Sequence, residues 1–315
     1  MNKIKLTGLV AAAHSPFKLD GSLNLAVVER QAEHLLHQGI PVAFICGSTG
    51  ESHSLTLLER RQLAQRWLEV ARGTPLQVIV HVGSNCLADA RELAAQAETL
   101  GALAISAIAP CYFRPRTLTD LSTWCAEIAA AAPATPFYYY DIPVLTGVNF
   151  CMKSLLAHVA DRIPTFNGIK FTNTDLMSYQ QCLAEDDGTF DIPWGVDESL
   201  LAALAVGARG AVGSSYNFAA PVYQRLLAAF ARGDVEAARE EQSRSVQLIQ
   251  LLASHGYLGA AKAVMKMLGV DVGPARLPNG NPTTEQLPKL RAQLEQLGFF
   301  DWIAARTPSP AGLAK

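Results

Sequence analysis

The sequence predicts an α/β fold of the (β/α)8 type, the TIM barrel, with a C-terminal three-helix extension. Within residues 1–232, short apolar runs alternate with longer segments of helical period eight times, which matches the unit count of such a barrel. Gly, Pro, Ser, Thr or Asp residues mark most junctions, as turns and helix caps require. A doubly wound open sheet is the competing fold, but no G-x-G-x-x-G motif follows the first apolar run.

The predicted elements follow one another in a regular order. Eight strands are predicted at residues 6–12, 42–46, 78–82, 103–109, 137–140, 166–171, 191–195 and 210–213. Helices are predicted between them, for example at residues 24–37, 58–71, 88–100, 121–132 and 200–205. Because helical segments separate the strands, we expect a parallel sheet whose carboxyl ends meet on one rim.

The strand pattern stops near residue 233, and this point sets the predicted domain boundary. Residues 1–232 are predicted to form the barrel domain, and residues 233–315 a helical extension packed against it. Three helices are predicted in the extension, at residues 235–254, 258–268 and 284–297. Residues 308–315 are predicted to fray.

Composition and charge limit the classes of function. Of the 315 residues, 50% are hydrophobic and 17% are charged, and the formal net charge is −2. This charge has no strong sign and no Lys/Arg block stands out, which argues against nucleic acid or a membrane surface as the partner. We therefore expect a small-molecule ligand. No window is long and apolar enough to span a bilayer, and the apolar run near the start is predicted to be a strand rather than a signal peptide.

Six cysteines are scattered along the chain without a C-x-x-C pair and without pairing to histidine. This pattern predicts reduced thiols in a cytoplasmic protein, not a disulfide framework or a zinc site. The histidines likewise show no recognisable ligand spacing, so no metal is predicted.

Lys170 is the most informative single residue. It lies in FNGIKF, residues 166–171, a largely apolar segment that is predicted to be a buried strand. Burial lowers the pKa of a lysine, and a neutral amine attacks a carbonyl carbon to give a Schiff base. The alternative is a lysine that extends from the strand end to a surface carboxylate. Lys153, Lys262 and Lys266 lie in helical segments and are predicted at the surface or at a domain interface.

Two further clusters fall at predicted strand ends. In GSTGE, residues 47–51, two glycines bracket Ser48 and Thr49, which permits a tight anion nest suited to a carboxylate. The alternative is a plain turn in which Glu51 helps to cap the next helix. Tyr140 ends the run FYYYD, nearest the rim, where its phenol could pass a proton to or from a substrate oxygen. The alternative is a packing role, which is predicted for Tyr139.

The last two clusters follow the seventh and eighth predicted strands. Asp197 and Glu198 would repel a phosphate but accept hydrogen bonds from the hydroxyls of a polyol. Their alternative role is to cap the following helix. The glycine-rich run at residues 207–214 is a weak match to a phosphate loop, and it leaves Ser214 facing the expected pocket.

Five motifs together resemble a known family. GSTGE, YYYDIP, GIKFTNTD, WGVDES and GAVGSSYN, in this order and at these spacings, are similar to the N-acetylneuraminate lyases. These enzymes belong to the Schiff-base pyruvate aldolase superfamily, as does dihydrodipicolinate synthase. The resemblance covers nearly the whole chain.

The resemblance implies a role for each matched residue. Lys170 would form the Schiff base with the ketone carbon, and Tyr140 would exchange a proton with the oxygen that becomes the aldehyde. Ser48 and Thr49 would hold the carboxylate of the pyruvate end. The sugar chain would be held by Thr172, the Gly195 backbone, Asp197, Glu198 and Ser214. Tyr112 would correspond to a relay tyrosine lent across a subunit interface. The family implies a homotetramer without a metal or an organic cofactor.

Two positions depart from related patterns. Leu145 stands where dihydrodipicolinate synthase carries an arginine that binds a carboxylate of its aldehyde substrate. Losing such a charge-assisted partner removes about 1.5–3 kcal/mol, which disfavours a charged aldehyde and favours a sugar aldehyde. Asp141 is expected to disfavour an anionic aldehyde further, and it replaces the Asn or His associated with the lyase.

The resulting expectation is reversible cleavage of N-acetylneuraminate to N-acetylmannosamine and pyruvate by a carbon–carbon lyase. One alternative is another pyruvate-dependent lyase or synthase of the superfamily, acting on a different sugar acid or aldehyde. A non-catalytic ligand-binding barrel and a metal-dependent aldolase are the others.

Overall fold

The protein forms a barrel of parallel strands surrounded by helices, which confirms the predicted fold class. The computed structural model describes residues 3–304, so the predicted frayed segment 308–315 lies outside the described residues. The strands are β1 (Gly8–Ala12), β2 (Val42–Ile45), β3 (Gln77–His81), β4 (Ala104–Ile108), β5 (Phe137–Asp141), β6 (Phe166–Phe171) and β7 (Gly210–Gly213). They pair in the order β6-β5-β4-β3-β2-β1-β7, and every pair is parallel.

The seventh predicted strand, at residues 191–195, is not a regular strand, so the eighth predicted strand is β7. The 191–195 segment closes the barrel through single bridges from Asp191 to Gly168 on β6 and from Trp194 to both neighbouring strands. Pro193 lies between them and has no N–H to donate, so a continuous ladder cannot form. A Cβ on Gly168 would collide with the Asp191 carbonyl, so glycine permits this close approach.

Thirteen helices are assigned within residues 3–304. Around the barrel these are α1 (Val27–His37), α2 (Leu57–Ala71), α3 (Leu87–Thr99), α4 (Leu118–Ala129), α5 (Pro143–Thr146), α6 (Met152–Val159), α7 (Leu176–Ala184), α8 (Leu200–Ala205) and α9 (Tyr216–Ala231). In the extension they are α10 (Val235–Ser254), α11 (Tyr257–Met267), α12 (Gln286–Leu297) and α13 (Phe299–Ala304). None of these helices is long and apolar enough to cross a membrane.

The extension has four helices instead of the three predicted. Gly298 ends α12 in the left-handed region, with φ of +84°, and the chain then continues as the short helix α13. Phe299 of α13 is fully buried. The run is too short for its period to separate helix from loop in the sequence. The domain boundary at residues 232 and 233 stays a prediction.

The apolar core has two layers that follow the alternation of each strand. The larger layer fills the space between the strands and the helices. The smaller one fills the lumen and includes Phe44 on β2, Ile79 on β3, and Tyr138 and Tyr140 on β5. Because side chains alternate along a strand, Tyr139 points to the outer layer while its two neighbours point inward.

A buried ion pair joins the extension to the barrel. Lys262 Nζ on α11 lies 2.6 Å from Glu51 Oε1, and both side chains are almost fully buried. The backbone N–H of Arg276 donates to Glu51 Oε2 at 2.7 Å. Lys262 therefore lies at an interface between the extension and the barrel, as predicted. Glu51 does not cap the next helix, which was the alternative role considered for it. Thr56 caps α2 instead, in a capping box with Glu59.

Candidate active site

A cavity of about 800 Å³ opens at the carboxyl ends of the strands. Nine of the ten predicted site residues line it, namely Ser48, Thr49, Tyr140, Lys170, Thr172, Gly195, Asp197, Glu198 and Ser214. The barrel brings them together because each one lies at, or just after, the carboxyl end of a strand or of the 191–195 segment. The tenth predicted site residue, Tyr112, does not line the cavity. It is 79% exposed on the loop after β4 and packs edge-on against Phe113, with ring centroids 4.9 Å apart.

Lys170 is a buried residue that lines the cavity. Its side chain extends from β6, and only 4% of the residue is exposed. Nζ is 3.4 Å from Thr172 Oγ1 and 3.4 Å from the centroid of the Tyr140 ring. Burial lowers the pKa of Lys170, and the nearby Tyr140 phenol and Asp197 carboxylate oppose this effect. A lysine in these surroundings reaches the neutral, nucleophilic form more easily than one in water.

Tyr140 is held beside Lys170 by the strand register and by aromatic neighbours. Tyr140 and Lys170 are direct partners in the β5–β6 pairing. The Tyr140 ring meets Phe44 and His81 edge-on, with both centroid distances 5.9 Å. Its hydroxyl lies 3.4 Å from Ser48 Oγ. The ring of Tyr140 is thus held in the lumen, and its hydroxyl reaches the loop that follows β2.

That loop is a tight turn, as the prediction of an anion nest requires. Cys46 and Glu51 bracket it in the left-handed region, with φ of +58° and +56°. The Ser52 N–H donates to the Gly47 carbonyl at 3.2 Å, which closes the turn. Within the part of the chain that the structure describes, the backbone N–H groups of Ser48 and Thr49 donate to no other group. They are therefore available to a carboxylate at this rim.

Asp197 and Glu198 face the cavity in different surroundings. Asp197 Oδ2 accepts hydrogen bonds from the Ser215 backbone N–H at 2.9 Å and from the Ser215 hydroxyl at 2.5 Å. Burial raises the pKa of Asp197 to about 6. A Cβ on Gly213 would collide with the Asp197 carboxylate, so glycine is needed there. Glu198 is exposed. Neither acid caps α8, whose N-cap Ser199 has no side-chain cap bond.

The extension supplies part of the cavity wall, which the sequence did not predict. Ser214 Oγ lies 2.7 Å from the Tyr257 hydroxyl on α11. Ile249 on α10 and the loop residues Asn279 and Gly280 also line the cavity. Nothing in the local pattern of these residues distinguishes them from packing or turn residues.

Asp141 does not face the cavity. It is buried on the outer side of β5, where Asn173 Nδ2 donates to its Oδ2 at 3.3 Å. Desolvation raises the pKa of Asp141 to about 7. The expectation that Asp141 would act on the aldehyde is therefore wrong, because strand alternation points it away from Tyr140. On the following helix, Val144 lines the cavity, whereas Leu145 is 62% exposed.

The titratable side chains of the described residues do not form a metal site. Across residues 3–304, no three His, Cys, Asp or Glu side chains come together as metal ligands would. The prediction that the reaction needs no cofactor is tested only by activity measurements.

Comparisons with known proteins agree with the motif resemblance. The model of the dihydrodipicolinate synthetase family matches residues 5–297. N-acetylneuraminate lyase from Gallus gallus is 40% identical over 301 residues, covering 94% of this chain and 98% of the relative. The Homo sapiens N-acetylneuraminate lyase is 40% identical over 304 residues, covering 95% of each chain.

Solved structures give the same grouping. N-acetylneuraminate lyase from Proteus mirabilis superposes with a TM-score of 0.91 at 39% identity, over 94% of this chain and all of that one. N-acetylneuraminate lyase (sialic acid aldolase) from Aliivibrio salmonicida also superposes with a TM-score of 0.91, at 40% identity. The match covers 94% of this chain and 98% of that one. The resemblance predicted from the motifs is confirmed, and the chain belongs to the dihydrodipicolinate synthetase family.

Proposed function

We propose that this protein is a Schiff-base aldolase that cleaves N-acetylneuraminate reversibly to N-acetylmannosamine and pyruvate. Relatives about 40% identical over nearly the whole chain are N-acetylneuraminate lyases, which supports this carbon–carbon lyase activity. The observation that carries the mechanism is the position of Lys170. Its amine is buried in the cavity, beside Tyr140 and Thr172. None of the ion pairs found among the described side chains involves Lys170.

The reaction begins at the Lys170 amine. The amine attacks the ketone carbon of the open-chain substrate, water leaves, and an iminium forms. The hydroxyl on the β carbon gives its proton to the Tyr140 oxygen, and the bond between the α and β carbons breaks. Its electron pair moves toward the iminium to give an enamine, while the former hydroxyl becomes the aldehyde of N-acetylmannosamine. Protonation and hydrolysis of the enamine then release pyruvate and restore the amine.

The other cavity residues hold the two ends of the substrate. Ser48 and Thr49 bind the carboxylate through the nest, close to the Tyr140 hydroxyl. Asp197, Glu198 and Ser214 bind the hydroxyls of the sugar chain, with Thr172 and the Gly195 backbone between them and Lys170. A Cβ on Gly195 would collide with Thr172 Oγ1, so glycine at this position leaves room for both groups. Orientation of this kind is a major source of rate enhancement.

Borohydride trapping tests the mechanism directly. Pyruvate and sodium borohydride should convert the Schiff base to a stable secondary amine, and mass spectrometry of the digested protein should place the added mass on Lys170. Trapping on Lys153 or Lys266 instead would overturn the assignment, as would a protein that cleaves N-acetylneuraminate without being trapped.

A substrate panel tests the specificity. N-acetylneuraminate should be cleaved much faster than short or anionic aldehydes are condensed with pyruvate. Faster turnover of a different sugar acid would identify another pyruvate lyase of the same superfamily. Activity that persists in EDTA is expected for a mechanism without a metal, and complete loss would contradict it.

The proposed assembly is a cytoplasmic homotetramer in which Tyr112 reaches the active site of a neighbouring subunit. Two large rings, Tyr112 and Phe113, are mostly exposed next to the site, which supports a contact there. Sedimentation velocity should give a mass four times 33.8 kDa. Tyr112→Ala should lower the turnover number without changing pyruvate trapping at saturation. A fully active monomer would contradict this proposal.

A further inference from the structure

His81 is a buried residue that touches two parts of the candidate site but does not line the cavity. It ends β3 on the lumen side and is 1% exposed. Its Nδ1 lies 3.0 Å from the Cys46 carbonyl oxygen, at the start of the nest. The Tyr140 ring meets the His81 ring edge-on, at an interplanar angle of 90°.

The shortest hydrogen-bond contact of the His81 ring indicates its tautomer. A carbonyl oxygen only accepts, so the short contact to Cys46 requires a proton on Nδ1. Ser52 Oγ and Arg60 Nη2 also lie near His81 Nδ1, but at the longer distances of 3.3 and 3.4 Å. The Arg60 guanidinium donates instead to the backbone carbonyls of His81 and Gly83, each at 2.7 Å. A second positive charge beside this buried guanidinium would be unfavourable. Burial and Arg60 both lower the pKa of His81 well below its usual value, in agreement with a neutral ring.

The Cys46 carbonyl belongs to a backbone position that needs support. Cys46 has φ of +58°, in the left-handed region, which is unfavourable for a residue that carries a Cβ. The peptide that follows it carries the Gly47 N–H and leads directly to Ser48 and Thr49. The direction of the Cys46 carbonyl therefore sets the direction of the Gly47 N–H, at the start of the segment that carries Ser48 and Thr49.

We propose that His81 is a positioning residue that orients the Ser48–Thr49 nest through its Nδ1–H bond to Cys46 and supports the ring of Tyr140. It touches no reacting atom, and its effect reaches the substrate through these two partners. The proposal rests on the proposed function, because it assumes that the nest binds the carboxylate of pyruvate. Arg60 holds the end of β3, and with it the backbone of His81.

Two substitutions of His81 separate the hydrogen bond from the ring. In His81→Asn, the amide nitrogen occupies the place of Nδ1 and can still donate to Cys46. In His81→Gln, the amide group lies one bond farther out, at the place of Nε2, and cannot. Both variants lose the ring that supports Tyr140, so the difference between them reports on the Cys46 bond alone.

The measurement is the pyruvate concentration that half-saturates borohydride trapping, together with the KM and turnover number for N-acetylneuraminate. His81→Gln should raise the half-saturating concentration about five- to tenfold, as expected for one lost hydrogen bond, while His81→Asn stays close to the wild type. The two variants should share a similar, modest fall in turnover number. A purely structural role would instead lower the active fraction of both and leave pyruvate affinity unchanged.

Equal pyruvate affinity in His81→Gln and the wild type would overturn the proposal. If His81→Gln does not fold, Arg60→Lys decides, because it retains the charge but loses one of the two carbonyl bonds at the end of β3. A loss of about threefold in pyruvate affinity is expected there, and no loss would overturn the proposal. If the wild type itself traps no pyruvate on Lys170, the proposed function fails. If the wild type traps normally and the variants do too, only the role of His81 fails.

Discussion

Tyr140 and Lys170 are paired residues on neighbouring parallel strands, and the Lys170 amine lies 3.4 Å from the centre of the Tyr140 ring. The register of β5 against β6 thus places a proton-transfer group directly beside a nucleophile. A shift of either strand by one residue would turn one of these side chains to the outer face of the barrel. The chemistry of the site is therefore built into the strand pairing.

Tyr140→Phe should separate proton transfer from Schiff-base formation. The ring that contacts Lys170 is retained, while the hydroxyl near Ser48 is lost. The turnover number for N-acetylneuraminate should fall about 10²- to 10⁴-fold, the usual contribution of a general acid or base. Pyruvate should still be trapped by borohydride, measured by mass spectrometry.

Tyr139→Phe is the matched control. Tyr139 lies next in the strand, faces away from the cavity, and its hydroxyl has no hydrogen-bond partner among residues 3–304. Its removal should leave turnover unchanged and should not lower stability. Similar kinetics for the two variants would refute the proton-transfer role of Tyr140.

Glu198→Ala should weaken binding of the sugar chain more than binding of pyruvate. Glu198 lines the cavity at residues 195–198, away from the nest. Loss of hydrogen bonds to a charged acceptor should raise the KM for N-acetylneuraminate about tenfold or more. The inhibition constant of pyruvate, measured on the same variant, should stay unchanged.

Glu240→Ala provides the control for that measurement, since Glu240 is exposed on α10 and does not line the cavity. Both constants should stay at wild-type values. Equal losses of sugar and pyruvate binding in Glu198→Ala would remove its assignment to the sugar chain.

Much of the fold and site could be predicted because both depend on local pattern. Strand alternation and position at strand ends single out Lys170 and Tyr140 as candidates, and the family resemblance implies their roles. The segment at 191–195 is predicted as a strand because it is a short apolar run. The same run occurs whether the segment forms a continuous hydrogen-bonded ladder or, as here, only single bridges on either side of Pro193. His81 and Tyr257 were not predicted as parts of the site, since their partners are set by tertiary packing. No sequence spacing encodes the docking of α11 on the barrel.

Asp141→Asn should change how stability depends on pH. Burial raises the pKa of Asp141 to about 7, above its usual 3.8. The folded state therefore holds this proton more tightly than the unfolded state. The resulting stabilisation is complete below pH 4 and is lost as pH rises to about 7. The shift corresponds to roughly 4 kcal/mol, and the variant would not undergo this loss because its amide does not titrate.

Urea unfolding of the wild type and of Asp141→Asn at pH 5 and pH 8 measures this effect. The unfolding free energy of the variant minus that of the wild type should be larger at pH 8 than at pH 5. Cleavage activity at pH 8 should be retained, because Asp141 faces away from the cavity. A difference in unfolding free energy that does not change with pH would show that Asp141 does not titrate in this range.

Lys262→Met should strongly destabilise the contact between the extension and the barrel. The substitution leaves Glu51 charged and buried without its ion partner, and breaking such a pair costs about 3–5 kcal/mol. Lys266→Met is the matched control in the same helix, because Lys266 pairs with Asp271 at the surface, where an ion pair contributes about 0–1 kcal/mol. The double variant Glu51→Gln/Lys262→Met should recover much of the loss, since no buried charge remains unpaired.

Thermal and urea unfolding of the wild type and the three variants would compare their stabilities. Similar losses for Lys262→Met and Lys266→Met would mean that the buried pair does not hold the extension in place.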